Sequence, residues 1–235
     1  ELEGKYGLAE GGLGMGVGYS VISGKDARHN GNSYVNQLII GQNGGPASAE
    51  SDGWLTYGIP VVGGIMYRDS VEVDELHYPV HIKEIRLTQD DAGVGEYRGA
   101  PGAHVTLGPS DTPMTVVFGS DGQTNPPRGV KGGGDGNAST MHLIHIDGTM
   151  ETIPCVGQIE LKRGMWIRGR ESSGGGYGDP LNRDPNRVLR DVIEKYVSIA
   201  CAREDYGVVF LGNIAEDTLR VDEEATAELR LSRIQ

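Results

Sequence analysis

The chain has 235 residues, a formal net charge of -12 and 38 glycines, which is about twice the usual glycine share. Its acidic balance and scattered charges exclude the concentrated basic face that a nucleic-acid-binding protein needs. No apolar run is long enough to span a membrane, and we expect a cytoplasmic protein with no nucleic-acid or membrane partner.

Residues 4–65 alternate short apolar runs with glycine clusters, among them 11–16, 43–46 and Gly63-Gly64. Short apolar runs bounded by turn residues predict strands or tight irregular coil. No helical period is visible here.

The clearest strand pattern follows, because apolar and polar residues alternate in 71–76 and again in 78–87. This alternation predicts strands with one face on the core and one in water. The residues of the second strand expected to face the core are Tyr78, Val80, Ile82 and Leu87. Those expected to face solvent are His81, Lys83 and Arg86.

Turn residues separate a further series of apolar runs. These predict strands at 103–107, 114–118, 140–146, 150–154, 157–162 and 166–167. Asp147-Gly148 lies between two of the runs and predicts a hairpin with a two-residue turn.

From Asp179 onward the pattern becomes helical. Asp184 followed by Pro185 is a favourable helix start, and Ser198 can cap a second helix that stops at Gly207. A short strand is predicted at 208–211. Asp222 begins a third helix, whose acidic first turn suits the helix dipole. The apolar stripe of the first helix comprises Val188, Leu189, Val192, Ile193 and Tyr196.

The predicted fold class is α+β. It consists of a glycine-rich, predominantly β body over residues 1–180 and a helical tail over 181–235 that packs on the body. Because only 37% of the residues are hydrophobic, we expect partner surfaces to complete the core.

Metal and thiol chemistry find little support in the residue spacing. Cys155 and Cys201 are too few for a disulfide framework, and we expect two buried free thiols in a reducing cytosol. His142 and His145 are three residues apart on a predicted strand, so they point to opposite faces. His77 and His81 flank a proline. We therefore predict no metal site in this chain.

Arg68, Asp69 and Glu72 are the candidate substrate-binding residues. They cluster one cation and two carboxylates where a glycine-rich segment meets a predicted strand. Such a cluster can bind substrate or transfer protons, although ion pairing at a strand start also explains it. We assign no catalytic residue.

Two glycine-rich stretches can be read as anion sites. Arg128 and Lys131 lie in the stretch 128–136 and are the candidate anion-binding residues, with a surface hairpin loop as the alternative. The stretch 172–178 lacks the lysine and hydroxyl of a phosphate-binding loop. A tight crossing, in which glycine lets backbones approach closely, explains it better.

Four groups of short motifs occur in order along nearly the whole chain. The first three are Gly44-Gly45-Pro46 with Asp52-Gly53-Trp54; Ser70–Val73, Tyr78-Pro79-Val80 and Gly93–Gly102; and Ser120-Asp121, Pro126–Gly129 and Gly132–Gly134. The fourth comprises Ser173–Leu181, Arg183-Asp184-Pro185, Val188–Val192, Tyr196–Ser198, Asp205–Val209 and Asp222–Thr226. Together they resemble the carboxy-terminal third of the B-type subunit in the hydantoinase B/oxoprolinase family.

That resemblance implies a multi-subunit enzyme in which ATP activates an oxygen by phosphorylation. The expected partners are a hydantoinase A-like ATP-binding subunit and an amino-terminal B-type segment. ATP and a divalent metal are expected to be bound mainly by those other chains. No segment here matches the family's histidine and aspartate metal site, and Gly122 stands where the family often has a basic residue. The chain also begins at Glu1 rather than methionine, so we expect a cleaved or partial piece.

Three functions remain open from sequence. The leading one is a substrate-site and interface component of an enzyme that hydrolyses cyclic amides such as hydantoins or 5-oxoproline. The second is a subunit of an ATP-dependent ketone carboxylase of the acetone or acetophenone type. The third is a non-catalytic scaffold segment of such a complex. In each case we expect no activity from the chain alone.

Overall fold

Two antiparallel sheets share one hydrophobic core in the computed structural model, which describes residues 7–12, 14–42, 44–55 and 67–234. The strands are β1 (Gly14–Met15), β2 (Val21–Asp26), β3 (Asn32–Gln37), β4 (Val80–Leu87), β5 (Ala103–Pro109), β6 (Met114–Ser120), β7 (Thr140–Ile144), β8 (Met150–Ile153), β9 (Val156–Leu161), β10 (Trp166–Arg170), β11 (Phe210–Leu211) and β12 (Arg220–Val221). The helices are α1 (Val71–His77), α2 (Pro185–Ile193), α3 (Ile199–Glu204) and α4 (Glu223–Ile234). The predicted α+β fold with β predominance is confirmed.

The first sheet runs β9-β6-β2-β3, with β1 also paired to β6, and the second runs β4-β5-β10-β7-β8. Alternate residues of both sheets enter the core, for example Ile22 and Val116 from the first sheet and Val105 and Ile167 from the second. This pattern of one buried and one solvated face is what alternating strands predict. The strands predicted between residues 103 and 167 are confirmed, and β10 extends to Arg170. Of the glycine clusters before residue 66, Gly63-Gly64 and Asn43 lie outside the described residues.

The hairpin predicted at Asp147-Gly148 is confirmed, but its turn is longer than two residues. His145 donates its backbone N–H to the carbonyl oxygen of Thr149 at 2.9 Å, so three residues close the loop. Gly148 adopts φ +84°, a backbone conformation that glycine tolerates best.

The strand predicted at 71–76 is wrong, because these residues form helix α1. Ser70 has an extended backbone at the N-cap position, and Glu72 and Asp74 place negative charge in the first turn, where the helix dipole favours it. A period-two alternation over only six residues does not exclude a short helix. Val73 and Leu76 are consequently 50% and 70% exposed.

Strand β4 confirms most of the predicted facing. Tyr78, Val80 and Ile82 contact the core. The solvent-facing residues are exposed as predicted: His81, Lys83 and Arg86. Leu87 is the exception at 39% exposed, because it lies at the strand end and lines an open pocket.

The segment 172–178 crosses between three other segments of the chain at backbone contact distance. A Cβ atom built on Gly174 would lie 1.9 Å from the carbonyl oxygen of Gly45, and one on Gly176 would lie 1.9 Å from that of Val94. Backbone N–H groups of Gly174, Gly175 and Gly176 donate to the carbonyl oxygens of Ala100, Glu10 and Gly134, respectively. These contacts support the tight crossing rather than a phosphate-binding loop.

The helix starts predicted after residue 180 are confirmed. The side chains of Asp184, Ser198 and Asp222 accept backbone N–H groups of Asn186, Cys201 and Ala225. Helix α2 ends at Ile193, before the predicted stripe is complete, and Ile193 itself is 49% exposed. Val188 and Val192 are buried as predicted.

Asp191 lies on the buried face of α2, where an apolar residue would be expected. It accepts from Arg183 at 2.7 Å and from Arg98 at 2.9 Å, and the side chains of both arginines are at most 9% exposed. Arg183 also donates to Asp52 at 2.7 Å, and Arg187 reaches the same carboxylate at 2.9 Å. These ion pairs join the segment after residue 180 to residues 52 and 98. The division into a body and a tail stays a prediction.

Two further features concern the expected environment of the chain. Cys155 is buried and Cys201 is partly buried, and both are free thiols. Among the helices that the structure describes, none is long and apolar enough to cross a membrane.

We predict that Gly174→Ala strongly destabilises the protein whereas Gly119→Ala does not. A Cβ on Gly174 would overlap backbone atoms that cannot rotate away, so we expect a loss of about 3 kcal/mol or more in the free energy of unfolding. A Cβ on Gly119 meets nothing within 4 Å. Urea melts of the two variants measure the difference, and equal midpoints would contradict the crossing as a structural constraint.

Candidate functional site

The structure brings Arg68 and Asp69 together and turns Glu72 away. Arg68 donates to the carbonyl oxygen of Ile40 and, weakly at 3.5 Å, to Oε1 of Gln42. Asp69 accepts the backbone N–H of Ile39 at 2.7 Å. Glu72 is exposed and accepts from the Ser70 hydroxyl at 2.7 Å, which lowers the pKa of its carboxyl. Arg68 and Asp69 therefore both contact residues 39–42, the segment that follows β3.

A cavity of about 240 Å³, here called the Arg68 pocket, opens beside this segment. Its lining residues are Gln42, Arg68, Ile85, Arg86, Leu87 and Ala103. Gln42 is only 4% exposed, and its Nε2 atom has no hydrogen-bond partner among the described residues. A buried amide N–H without a partner costs free energy. Two guanidinium groups add charged donors.

Two buried acidic groups, Tyr19 and Glu171, lie close behind the Arg68 pocket. Burial raises the pKa of Tyr19 to about 12, with the Glu171 charge raising it further and the Arg68 charge opposing. The backbone N–H of Glu171 donates to Ala103, whose own N–H donates to Gln42. Glu171 is thus linked by a backbone hydrogen bond to Ala103 and, through Ala103, to Gln42. Both of these residues line the pocket.

The Glu171 carboxyl is enclosed on every side that the structure describes. It is 1% exposed, and burial raises its pKa to about 7. Oε2 accepts from the Ser120 hydroxyl at 3.3 Å, while Oε1 has no hydrogen-bond partner among the described residues. A Cβ on Gly16 would lie 2.2 Å from both carboxyl oxygens. Burial therefore favours the protonated, neutral form of this carboxyl.

Asp74 is a second carboxyl with a raised pKa, and the sequence reasoning missed it. It lies in the first turn of α1, is 5% exposed, and has no partner for Oδ2 among the residues described. Burial, followed by the charge of Asp69, raises its pKa to about 6. No local motif marks this carboxyl, because its burial depends on the tertiary contacts of α1.

The candidate anion residues Arg128 and Lys131 lie elsewhere. Both are exposed, and Lys131 adopts φ +56°. Several of the loop's amides already have protein acceptors: Gly129 donates to the Asp135 carboxylate at 2.8 Å, and Gly134 donates to Val94 at 2.7 Å. Val130 bridges to Tyr177, so the stretch packs on the glycine crossing instead of forming a free hairpin loop. Anion binding by Arg128 and Lys131 stays a prediction.

A second cavity, of about 340 Å³, adjoins the motif Ser120-Asp121. Its lining residues are Ser120, Asp121, Gly122, Gln123, Thr124, Asn125 and Val156. Ser120 connects it to Glu171. Within the described ranges, no group of three histidine, cysteine, aspartate or glutamate side chains is arranged to hold a metal ion.

The two pockets can recognise polar oxygen and nitrogen atoms. The Arg68 pocket combines fixed positive charge with an unused amide donor, which suits a carbonyl or carboxylate oxygen. Asp74 and Glu171 can hold or release a proton near neutral pH, but both are buried away from bulk water. Sequence reasoning found Arg68 alone, because Gln42, Arg86 and Glu171 are distant along the chain and carry no local motif.

Comparison with known proteins identifies related sequences and structures. The family model for hydantoinase B/oxoprolinase matches residues 10–180. The chain is 34% identical to the caprolactamase subunit beta of Pseudomonas jessenii over 82% of this chain and 34% of that protein. It is 27% identical to the acetophenone carboxylase delta subunit of Aromatoleum aromaticum, over 93% of this chain and 36% of that protein.

The crystal structure of the ATP-dependent caprolactamase from Pseudomonas jessenii has a similar fold. It superposes with a TM-score of 0.72 at 32% sequence identity, covering 93% of this chain and 38% of that chain. The chain therefore spans about a third of the length of the relatives it matches.

We predict that Glu171→Gln removes a pH dependence of stability between about pH 4.5 and 7. The folded-state pKa of Glu171 is about 7 and its ordinary value is 4.5, so the folded protein binds more protons in this window. Stability is then fully present below pH 4.5 and falls as the pH rises through 7. The shift corresponds to a loss on the order of 3 kcal/mol.

Urea melts from pH 4 to 8 measure this effect, with the exposed Glu160→Gln as the matched control. The wild type and the control should lose stability together, while Glu171→Gln stays flat by comparison. Parallel pH profiles for all three proteins would show that the Glu171 carboxyl is not held protonated in the fold.

Proposed function

The chain belongs to the hydantoinase B/oxoprolinase family, and we propose that it is one segment of an ATP-dependent enzyme that hydrolyses cyclic amides of the hydantoin or 5-oxoproline kind. Similarity to the beta subunit of a caprolactamase supports this reaction class, since caprolactam is itself a cyclic amide. The segment contributes substrate-site and interface surface, and it is inactive without its partner chains.

The Arg68 pocket is the observation on which this proposal rests. Opening an amide ring builds negative charge on the carbonyl oxygen, and preorganised donors stabilise such charge. Arg68 and Arg86 supply donors of that kind within one cavity, which Gln42 also lines. Their proposed role is to bind and orient the ring carbonyl. Asp69 holds the segment in place through Ile39.

ATP and a divalent metal are proposed to bind mainly to other chains. ATP would supply the activation of an oxygen by phosphorylation. The glycine crossing does not suit a triphosphate, because its amides at Gly174, Gly175 and Gly176 donate to backbone carbonyls. The proposed partners are a hydantoinase A-like ATP-binding subunit and an amino-terminal B-type segment, in the cytoplasm. Support comes from the relatives, two of which are named as subunits.

An ATP-dependent ketone carboxylase is the second candidate. Its support is the similarity to the acetophenone carboxylase delta subunit over 93% of the chain. The Arg68 pocket suits this chemistry too, since ketones and carboxylates also present oxygen acceptors. The assembled enzyme, supplied with ATP and either a hydantoin or acetophenone plus bicarbonate, distinguishes the reactions by the product formed. Ring-opened product supports the first candidate, and carboxylated ketone overturns it in favour of the second.

We predict that Arg68→Ala and Arg86→Ala each weaken substrate turnover by the assembled enzyme. A charged hydrogen bond contributes about 1.5–3 kcal/mol, so kcat/KM should fall roughly 10- to 150-fold. Arg163→Ala is the matched control. The Arg163 side chain is 75% exposed, and its ion-pair contact with Asp111 is long, at 3.8 Å. Steady-state kinetics with product detection measure the effect. If the three variants match the wild type, this chain acts as a scaffold.

We also predict that the purified chain does not turn over ATP without its partners. Arg128 and Lys131 provide side-chain charge, but the nearby amides of Gly129, Gly133 and Gly134 donate to protein acceptors. Release of ADP is the measurement, with the assembled enzyme as the positive control. Stoichiometric, sustained turnover by the chain alone would disprove the assignment of ATP to other chains.

A further inference from the structure

Three of the residues that line the Arg68 pocket are apolar and adjoin one another: Ile85, Leu87 and Ala103. Ile85 and Leu87 are two residues apart on β4, so their side chains lie on the same face of the sheet. Ala103 on β5 is paired directly with Leu87, and directly paired residues of neighbouring strands also share a face. We call these three residues the apolar wall.

Leu87 is the one large side chain of the apolar wall that a ligand can still cover. Ile85 is partly buried against the hydrophobic core, and Ala103 is only 1% exposed. Leu87 is 39% exposed, although it lies on the same strand as residues that face the core. Covering this leucine with an apolar group removes apolar surface from water, which is favourable. Ala103 places only a methyl group opposite Leu87.

Arg68 provides the polar part of the same pocket. Its guanidinium donates to the carbonyl oxygen of Ile40 and, at 3.5 Å, to Oε1 of Gln42. A guanidinium carries five N–H groups, so donors remain for the oxygen of a ligand. The pocket thus presents charged donors and apolar side chains together within about 240 Å³. A ligand that satisfies both has an oxygen acceptor beside an aliphatic edge.

Cyclic amides differ in the polarity of the ring edge that lies away from the reacting carbonyl. A simple lactam has only methylene groups there. The unsubstituted hydantoin ring has a second carbonyl, a second N–H group and a single methylene group. Polar ring atoms pressed against apolar side chains lose their hydrogen bonds to water without gaining new ones, which costs free energy. The apolar wall therefore treats the two kinds of ring differently.

We propose that the apolar wall makes the Arg68 pocket selective for cyclic amides with an aliphatic ring edge over unsubstituted hydantoin, and that Leu87 determines this selectivity. The inference rests on the proposed function, in which Arg68 binds the ring carbonyl. Leu87 acts by contact with the ring edge and takes no part in breaking the amide bond. Each methylene group that the wall covers contributes a preference of about fourfold.

Binding of small probes to the full chain tests this selectivity without turnover. The probes are 2-pyrrolidinone and hydantoin, both five-membered cyclic amides, which differ by two methylene groups. Titrations followed by the NMR shifts of leucine and isoleucine methyl groups measure both dissociation constants and show whether each variant is folded. The wild type should bind 2-pyrrolidinone about tenfold more tightly than hydantoin.

Variants of Leu87 separate its role from that of the rest of the pocket. Leu87→Ala and Leu87→Asn should each reduce the preference for 2-pyrrolidinone by about fourfold or more. Leu87→Met should restore it, because methionine has a similar volume and is also apolar. Leu211→Ala is the matched control, since Leu211 is 42% exposed and lies on β11.

Kinetics of the assembled enzyme with the same two rings distinguish this inference from the proposed function. The ratio of the two kcat/KM values should follow the binding preference in every variant. A Leu87-dependent binding preference supports the inference even if the enzyme opens neither ring, and only the proposed function then fails. Ring opening with a ratio that the Leu87 variants leave unchanged overturns the inference alone. A wild-type chain that binds neither probe, or both equally, overturns it as well.

Discussion

The backbone crossing at residues 172–178 is the constraint on which the rest of this structure depends. Atoms of Gly174 and Gly176 approach other main-chain carbonyls so closely that no side chain fits. Because the crossing contacts segments near residues 45, 94 and 134, backbone hydrogen bonds fix those loops against it. The high glycine content of the chain is therefore partly a consequence of packing main chain against main chain. The same crossing positions Glu171, the residue just before it.

Buried ion pairs hold the segment that follows the crossing. Arg183 and Asp191 are almost fully buried, and with Arg98 and Asp52 they satisfy one another's charges. Removing one partner of such a set leaves an uncompensated buried charge, whereas an apolar replacement of the whole set is often tolerated. The network is better understood as fixing the position of α2 than as adding stability. Tyr196 stacks on Arg98 at 4.4 Å and restricts that arginine further.

Local patterns predicted most elements of the fold, and tertiary contacts decided the site. The strands from β4 to β10 and the caps Asp184 and Ser198 are readable because alternation and capping depend on neighbouring residues. Helix α1 was misread because six alternating residues fit both periods. The Arg68 pocket was not readable, since Gln42, Arg86 and Ala103 meet only after both sheets have formed. Burial, which raises the pKa of Asp74, likewise has no sequence signature.

The groups in and near the Arg68 pocket differ in how their charge depends on pH. Guanidinium groups keep their charge at any physiological pH, so Arg68 and Arg86 offer constant donors. The carboxyls of Asp74 and Glu171 instead change protonation near neutrality, because burial opposes their ionised forms. A rising pH would therefore place negative charge near a site that otherwise attracts electron-rich oxygen. Substrate binding by such a pocket should weaken as these carboxyls ionise, although the arginines keep their own charge. The pH dependence of substrate binding therefore distinguishes a pocket that binds substrate from a cavity between the two sheets that binds none.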